Sequence, residues 1–263
     1  MLRFPVSRFA ARLILATAAV LAPGAARAVD PFEIQVYDGA VNAPGQVGIE
    51  THINSVIAGH SEAVAPELPS QHQSHFTAEF PIGITSWWEG GVYLQTALLA
   101  DGSFRYAGNK LRSKFVLPAR DASPFRWGVN LEVSRLPEEF DRDRWGAEIR
   151  PIATWTSTGG RVFVSVNPIV DLSLAGPGRG DAPAFEPAVN VLYVVDGLAS
   201  FGLEYYADLG PIGSFTAASA QEHYLYEVVN LLKWKRLELN AGVGEGLTDG
   251  SNRFVAKMIV GFR

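Results

Sequence analysis

The sequence predicts an all-β protein, a closed antiparallel transmembrane β-barrel of about 12 strands. Three observations predict it. The first is period-two alternation. In Phe125–Ser134 the apolar residues are Phe125, Trp127, Val129, Leu131 and Val133, and between them lie Arg126, Gly128, Asn130, Glu132 and Ser134. Successive side chains on a strand point to opposite faces, so this strand has one greasy face and one wet one. The pattern returns about twelve times. The second observation is that no run beyond residue 28 is apolar for long enough to make a membrane helix. Any membrane crossing is therefore made by strands. The third is loop parity. Short turns at Thr85-Ser86, Gly159-Gly160, Asp196-Gly197 and Lys233–Arg236 alternate with longer polar loops at Ala58–Ser74, Pro137–Arg144, Ala175–Ala184 and Gly210–Gln221. Outer-membrane barrels sort short periplasmic turns from longer external loops in this way. A soluble sandwich has no reason to.

Met1–Ala28 reads as a cleaved signal peptide. Arg3, Arg8 and Arg12 precede the apolar run Leu13–Ala22, and Ala26-Arg27-Ala28 is a small-x-small cleavage site. Residues 29–46 read as an extended periplasmic lead-in or short plug, ending in turn chemistry at Asn42-Ala43-Pro44-Gly45. The barrel follows over 47–263. Its expected strands are Val47–Ile57, His75–Ile84, Trp87–Leu98, Arg105–Leu117, Phe125–Ser134 and Trp145–Thr156. Then come Arg161–Leu174, Phe185–Val195, Ala199–Leu209, His223–Leu232, Leu237–Gly246 and Arg253–Phe262. Pro81, Pro151, Pro168 and Pro187 fall inside these strands, where each removes a ladder donor and calls for a bulge or a shifted end.

Alternation also assigns faces. Trp88, Trp127, Tyr205, Tyr224, Tyr226 and Phe254 are placed outward, mostly near strand ends, as aromatic girdles at the membrane interfaces. Asn230 would then share the outward face of Tyr224 and Tyr226, so the register there must break or the strand must stop early. The last strand is amphipathic, as barrel-assembly machinery requires, although Phe262 is followed by Arg263 rather than ending the chain.

The full chain has a net charge of −5. The leader holds four arginines and no acid, so the remainder carries 18 basic against 27 acidic residues, near −9. That excess argues against a nucleic-acid partner. There is no cysteine, hence no disulfide and no thiolate metal site.

Several phrases carry a family resemblance. They are Pro31–Tyr37 (PFEIQVY), Tyr106–Phe115 (YAGNKLRSKF), Phe185-Glu186-Pro187, Gly202–Tyr206 (GLEYY) and Leu239–Gly244 (LNAGVG). With the leader and the strand count, the chain resembles the uncharacterised proteobacterial outer-membrane barrel proteins loosely grouped with the family named for the meta-pathway of phenol degradation. That resemblance implies a transporter-like barrel for small solutes, including hydrophobic or aromatic compounds. It transfers no functional residue.

The inward face supplies the candidate site residues. Lys110, Arg112 and Lys114 form a basic stripe, with Arg126 and Glu132 on the neighbouring strand. Glu50, His52 and Glu79 belong to the first two strands and Glu204 to the ninth. A lipid-facing Lys or Arg near the bilayer midplane costs about 2–4 kcal/mol, which places the stripe inside. There it lines a permeation path and favours anionic or polarisable solutes, unless acids such as Glu89 and Glu132 neutralise it. Glu186, Glu204, Glu227 and Glu238 are expected roughly across the lumen. His52, His75, Glu50 and Glu79 include metal-ligand types, but a hydrated lumen network is the simpler reading, so neither metal nor cofactor is expected. His75, Thr77 and Glu79 superficially suggest hydrolytic chemistry, yet lipid-cutting barrels carry such sets on the outer wall.

The leading expectation is a channel or transporter for small solutes, in contact with outer-membrane lipid and recognised by the assembly machinery through its last strand. A structural or surface-interaction barrel with a blocked lumen is the alternative. A lipid-processing enzyme comes third.

Overall fold

The computed structural model describes residues 29–62, 65–118, 123–232 and 237–262. The expected signal peptide, the turn Lys233–Arg236 and Arg263 lie outside them. Twelve strands follow one another: β1 Ile49–Ala58, β2 Ser74–Gly83, β3 Trp88–Leu98, β4 Phe104–Val116, β5 Phe125–Arg135 and β6 Trp145–Thr156. The second half is β7 Val162–Ala175, β8 Ala184–Val195, β9 Ala199–Asp208, β10 Glu222–Leu231, β11 Leu237–Gly246 and β12 Phe254–Phe262. Each strand pairs antiparallel with its sequence neighbours, and β1 also pairs with β12, Ile49 opposite Phe262. Closure leaves no strand edge unpaired. The expected strand bounds agree with these to within two residues.

The prolines sit inside strands. Pro168 faces Pro187, and the β6–β7 pairing lapses between Ile149–Val170 and Ala153–Val166, around Pro151 and Pro168. A proline has no N–H for the ladder, so the strands run on while the bonds skip.

The outer wall is apolar and exposed, with Leu111, Trp127, Val92 and Leu94 among its residues. The alternation holds around most of the circumference. It fails on β10. Tyr224, Tyr226 and Val228, expected outward, are 3%, 1% and 5% exposed and point into the lumen. Leu225 and Glu227 take the outer face instead. Asn230 is consequently lumenal and donates to Ser200 Oγ at 3.0 Å. Glu227, expected among the lumenal acids, is therefore exposed at the middle of β10, opposite Leu203 and Val243.

The reason for the reversal is a core inside the barrel. Residues 29–46 run through the lumen, from the end that carries the long loops to the end that carries the short turns. Ile34 and Val36 of this plug pack with Tyr206, Tyr224, Tyr226, Val228, Ile169 and Val255 of the wall. An apolar inward face is favoured because it removes this surface from water. Room for it is made on β11, where Gly244 lies opposite Tyr226. A Cβ at Gly244 would collide with the Tyr226 ring.

The plug reverses into β1 through a turn in which Gln46 N–H donates to Ala43 O at 2.9 Å and Gly45 adopts φ 77°. That is a conformation suited to glycine. The turn is fastened to β2 by Gly45 N–H donating to Gly83 O at 2.8 Å.

A carboxyl at the outer position of Glu227 would meet hydrocarbon in a bilayer. Glu227→Leu is expected to raise the urea midpoint of the barrel in lipid vesicles, by on the order of 1 kcal/mol, since acids cost less there than Arg or Lys. An unchanged or lower midpoint would contradict the outward placement.

Candidate functional site: a plugged lumen

The plug is not part of the sheet, so its backbone polar groups find partners on lumenal side chains. Asn54 Nδ2 donates to Pro31 O at 2.9 Å and Thr77 Oγ1 to Phe32 O at 2.9 Å. Lys257 Nζ donates to Ile34 O at 2.9 Å, and Arg150 Nη1 to Gln35 O at 3.0 Å. Asn167 holds Tyr37 by both groups: it accepts from Tyr37 N–H at 2.7 Å and donates to Tyr37 O at 3.1 Å. Asn42 N–H donates to Glu89 Oε2 at 2.6 Å. These partners come from β1, β2, β12, β6, β7 and β3.

The structure brings all of the stripe inward. Lys110 Nζ meets Glu33 and Glu132, each at 3.2 Å, and also Asp30. Two of those three acids belong to the plug. Arg112 Nη2 meets Glu89 Oε1 at 2.9 Å and also Glu79 Oε1. Lys114 Nζ lies 3.4 Å from Glu89 Oε1. With the plug in place, each cation of the stripe thus faces at least one carboxylate.

Tyr37 sits at the centre of this charge. Its hydroxyl donates to Glu33 Oε1 at 2.5 Å and lies 2.9 Å from the hydroxyl of Tyr93. Its ring is covered by Arg150 at 4.5 Å, Lys114 at 5.1 Å and Arg112 at 5.5 Å. Cations over an aromatic face are attracted by the ring quadrupole, more strongly when water is excluded.

The other expected residues occupy the same lumen. Glu50, His52, Glu79, Glu132 and Glu204 are buried on its wall. Glu204 pairs with Lys257, whose side chain is fully buried. Arg126 is exposed and borders the cavity near the turn end, beside Gly39 of the plug. Lys257 was legible from parity, since it alternates with Met258 on β12. Tyr37 was not, because residues 29–46 read equally as a lead-in or a short plug, and their local pattern does not say which side chains meet the wall.

Among the described residues, His75, Thr77 and Glu79 are each engaged by other partners. Thr77 gives its hydroxyl to the plug, and the Nε2 of His75 faces Gln73 Oε1 at 3.0 Å. His75 instead packs against Phe32, with ring centroids 4.6 Å apart.

Beside the plug a cavity of about 800 Å³ opens towards the turn end. Arg112, Lys114 and Arg126 border one side, Asn190, Asn230 and Asn240 another, with Leu192 and Leu237 between. The opposite end is capped by loops. Phe32 meets Phe140 edge-on at 5.7 Å, and Leu68 N–H donates to Glu139 O at 3.0 Å. In this cap, burial raises the pKa of Glu67 above its ordinary value, and the backbone N–H of Arg142 at 3.3 Å lowers it in part.

No protein-family model matches the chain, and no curated protein matches it in sequence. Solved structures do match in fold. The COG4313 outer membrane channel from Pseudomonas putida F1 aligns with a TM-score of 0.61 at 11% identity, over 88% of this chain and 99% of that one. The KdgM porin aligns at 0.53 with 9% identity, over 82% and 98% of the two chains. The NanC porin aligns at 0.53 with 8% identity, over 83% and 100%. The fold is that of outer-membrane channel barrels.

The pair Glu204–Lys257 gives a direct test of the wiring. Glu204→Ala leaves a buried ammonium without a carboxylate and is expected to destabilise the barrel by about 3–5 kcal/mol. The double change Glu204→Leu with Lys257→Met should recover most of that loss. Equal losses in both, read from unfolding midpoints in lipid vesicles, would mean that the two charges are not coupled.

Proposed function

We propose that this protein is an outer-membrane channel for small solutes, held closed by its own residues 29–46. The observation that carries the reading is the lumen itself: a polar, charge-lined interior filled by a segment bonded through side chains rather than through a ladder. A plug held in that way can leave without breaking the wall. The fold shared with channel barrels supports the same reading, and so does the apolar outer wall. Export by a cleaved leader and insertion through the last strand belong to this proposal.

The solute class follows from the cavity lining. Amides, cations and carboxylates share the lining with Leu192 and Leu237, which suits a molecule with polar groups and one apolar part. Substituted aromatic compounds meet that description, in line with the resemblance drawn from the sequence. Lys110, Arg112 and Lys114 line the path in this reading. While the plug is seated Asp30 and Glu33 help to neutralise Lys110; their departure leaves it with Glu132, while Arg112 and Lys114 keep Glu79 and Glu89 of the wall.

The second reading is a permanently blocked structural barrel, favoured by the number of wall residues that grip the plug. Planar-bilayer recording separates the two. The variant Asp30→Asn with Glu33→Gln removes both plug carboxylates from Lys110. Each charge-assisted bond is worth about 1.5–3 kcal/mol, so the open population should rise about tenfold or more. The open state should prefer anions, and changing Lys110, Arg112 and Lys114 to Gln should abolish that preference in the reversal potential. A folded barrel that never conducts in either form would favour the blocked reading.

A further inference from the structure

We propose that Glu50, His52 and Glu79 bind one divalent transition-metal ion, zinc foremost, at the junction of wall and plug. Glu50 and His52 are alternate residues of β1, so both point inward, and Glu79 of β2 lies directly opposite Glu50. Two alternate residues and a cross-strand partner make a compact three-sided grouping on one face of a sheet. Among the described residues this is the grouping of His and acid side chains whose ligand atoms all lie within 4.8 Å of one another.

The spacing of the three ligand atoms is compatible with an ion between them, and the alignment is poor for hydrogen bonds. His52 Nε2 lies 3.1 Å from Glu50 Oε1 and 3.6 Å from Glu79 Oε2. Tetrahedral zinc holds its nitrogen and oxygen ligands at about 2.0–2.2 Å, which sets neighbouring ligand atoms roughly 3.3–3.6 Å apart. His52 is fully buried, yet neither of its ring nitrogens makes a hydrogen bond. Glu50 Oε1 is near enough to accept one and lies out of line. Oxygens that flank a nitrogen without facing its N–H direction are where an ion on that axis would need them. Two carboxylates set opposite one another also repel, which a dication between them relieves.

The surroundings supply what a metal centre needs outside its ligands. Arg112 holds Oε1 of Glu79, leaving Oε2 for the ion. Gln35 of the plug donates Nε2–H to Glu50 Oε1 at 3.2 Å, while its buried Oε1 has no partner. Outer partners of this kind orient ligands and tune their affinity. Glu50 and Glu79 both border the cavity, which gives the ion a route and leaves a fourth position for water. The donor set, one imidazole and two carboxylates without sulfur, suits zinc, manganese or ferrous iron, and a bound ion would tie the plug to β1 and β2. The site stands on wall residues, so it holds whether or not the barrel conducts.

The test uses the full-length protein, folded in detergent, stripped with EDTA and titrated with Zn²⁺ or Co²⁺. Calorimetry is expected to give one saturable Zn²⁺ per barrel, and Co²⁺ to give the visible absorption of a four-coordinate site. His52→Gln should weaken binding at least about 100-fold, and Glu50→Gln at least about tenfold. Changing the exposed loop residues His60 and His72 to Gln should leave it unaltered. Heat-shifted mobility on a gel reports that each variant is folded. If a variant does not fold, X-ray absorption of the Zn²⁺-loaded wild-type protein decides. One imidazole with oxygen neighbours supports the site, and an all-oxygen shell overturns it. No saturable binding to the folded protein would overturn it as well, pointing to a protonated His52 between the carboxylates. So would binding that survives both His52→Gln and Glu50→Gln.

Discussion

An extended backbone inside a closed sheet has no ladder to join, and every amide and carbonyl it buries needs another partner. Much of this lumen is explained by that constraint. Asn54, Thr77, Lys257, Arg150, Asn167 and Glu89 each reach a main-chain atom of the plug. Each of them is itself a buried polar group that the plug satisfies. While the plug is seated and water is displaced, each side supplies the other's hydrogen-bond partners, so the wall's polar face and the plug's position specify one another.

The charges follow the same logic. A stripe of three cations on β4 would repel itself in a dry interior. Here it lies between acids of the flanking strands and acids of the plug, and Arg112 and Lys114 also cover the ring of Tyr37. Removing one member of such a network leaves its partner charged and buried, which is far more costly than never having had the pair. The closed arrangement is therefore well defined in geometry, and it is sensitive to any change that shifts the plug.

The wall was legible in the sequence wherever one face meets an apolar surface and the other a polar one. β5, β1 and β2 read correctly for that reason, and parity alone placed Lys110, Arg112, Glu50, His52 and Glu79 inside. β10 did not, because both of its faces are apolar in part. Tyr224, Tyr226 and Val228 cover Ile34 and Val36, so they follow the rule for a protein core and not the rule for lipid. Gly244, opposite Tyr226, was the available sign, since a glycine in a strand marks close approach of something bulky. The pairings of the stripe needed Asp30 and Glu33, which come close only once the plug has turned inward.

The position of the plug in the chain bears on how the barrel is made. Its bond to Asn54 spans 23 residues of sequence and its bond to Lys257 spans 223. The seam between β1 and β12 likewise joins the two ends of the wall. Chain entropy makes near contacts cheaper to form than distant ones. Residues 30–42 can thus settle against β1, β2 and β3 while the far strands are still open. On that ordering the last strands would close around an interior already occupied, and the plug would serve as a mandrel that gives the growing sheet its inner surface.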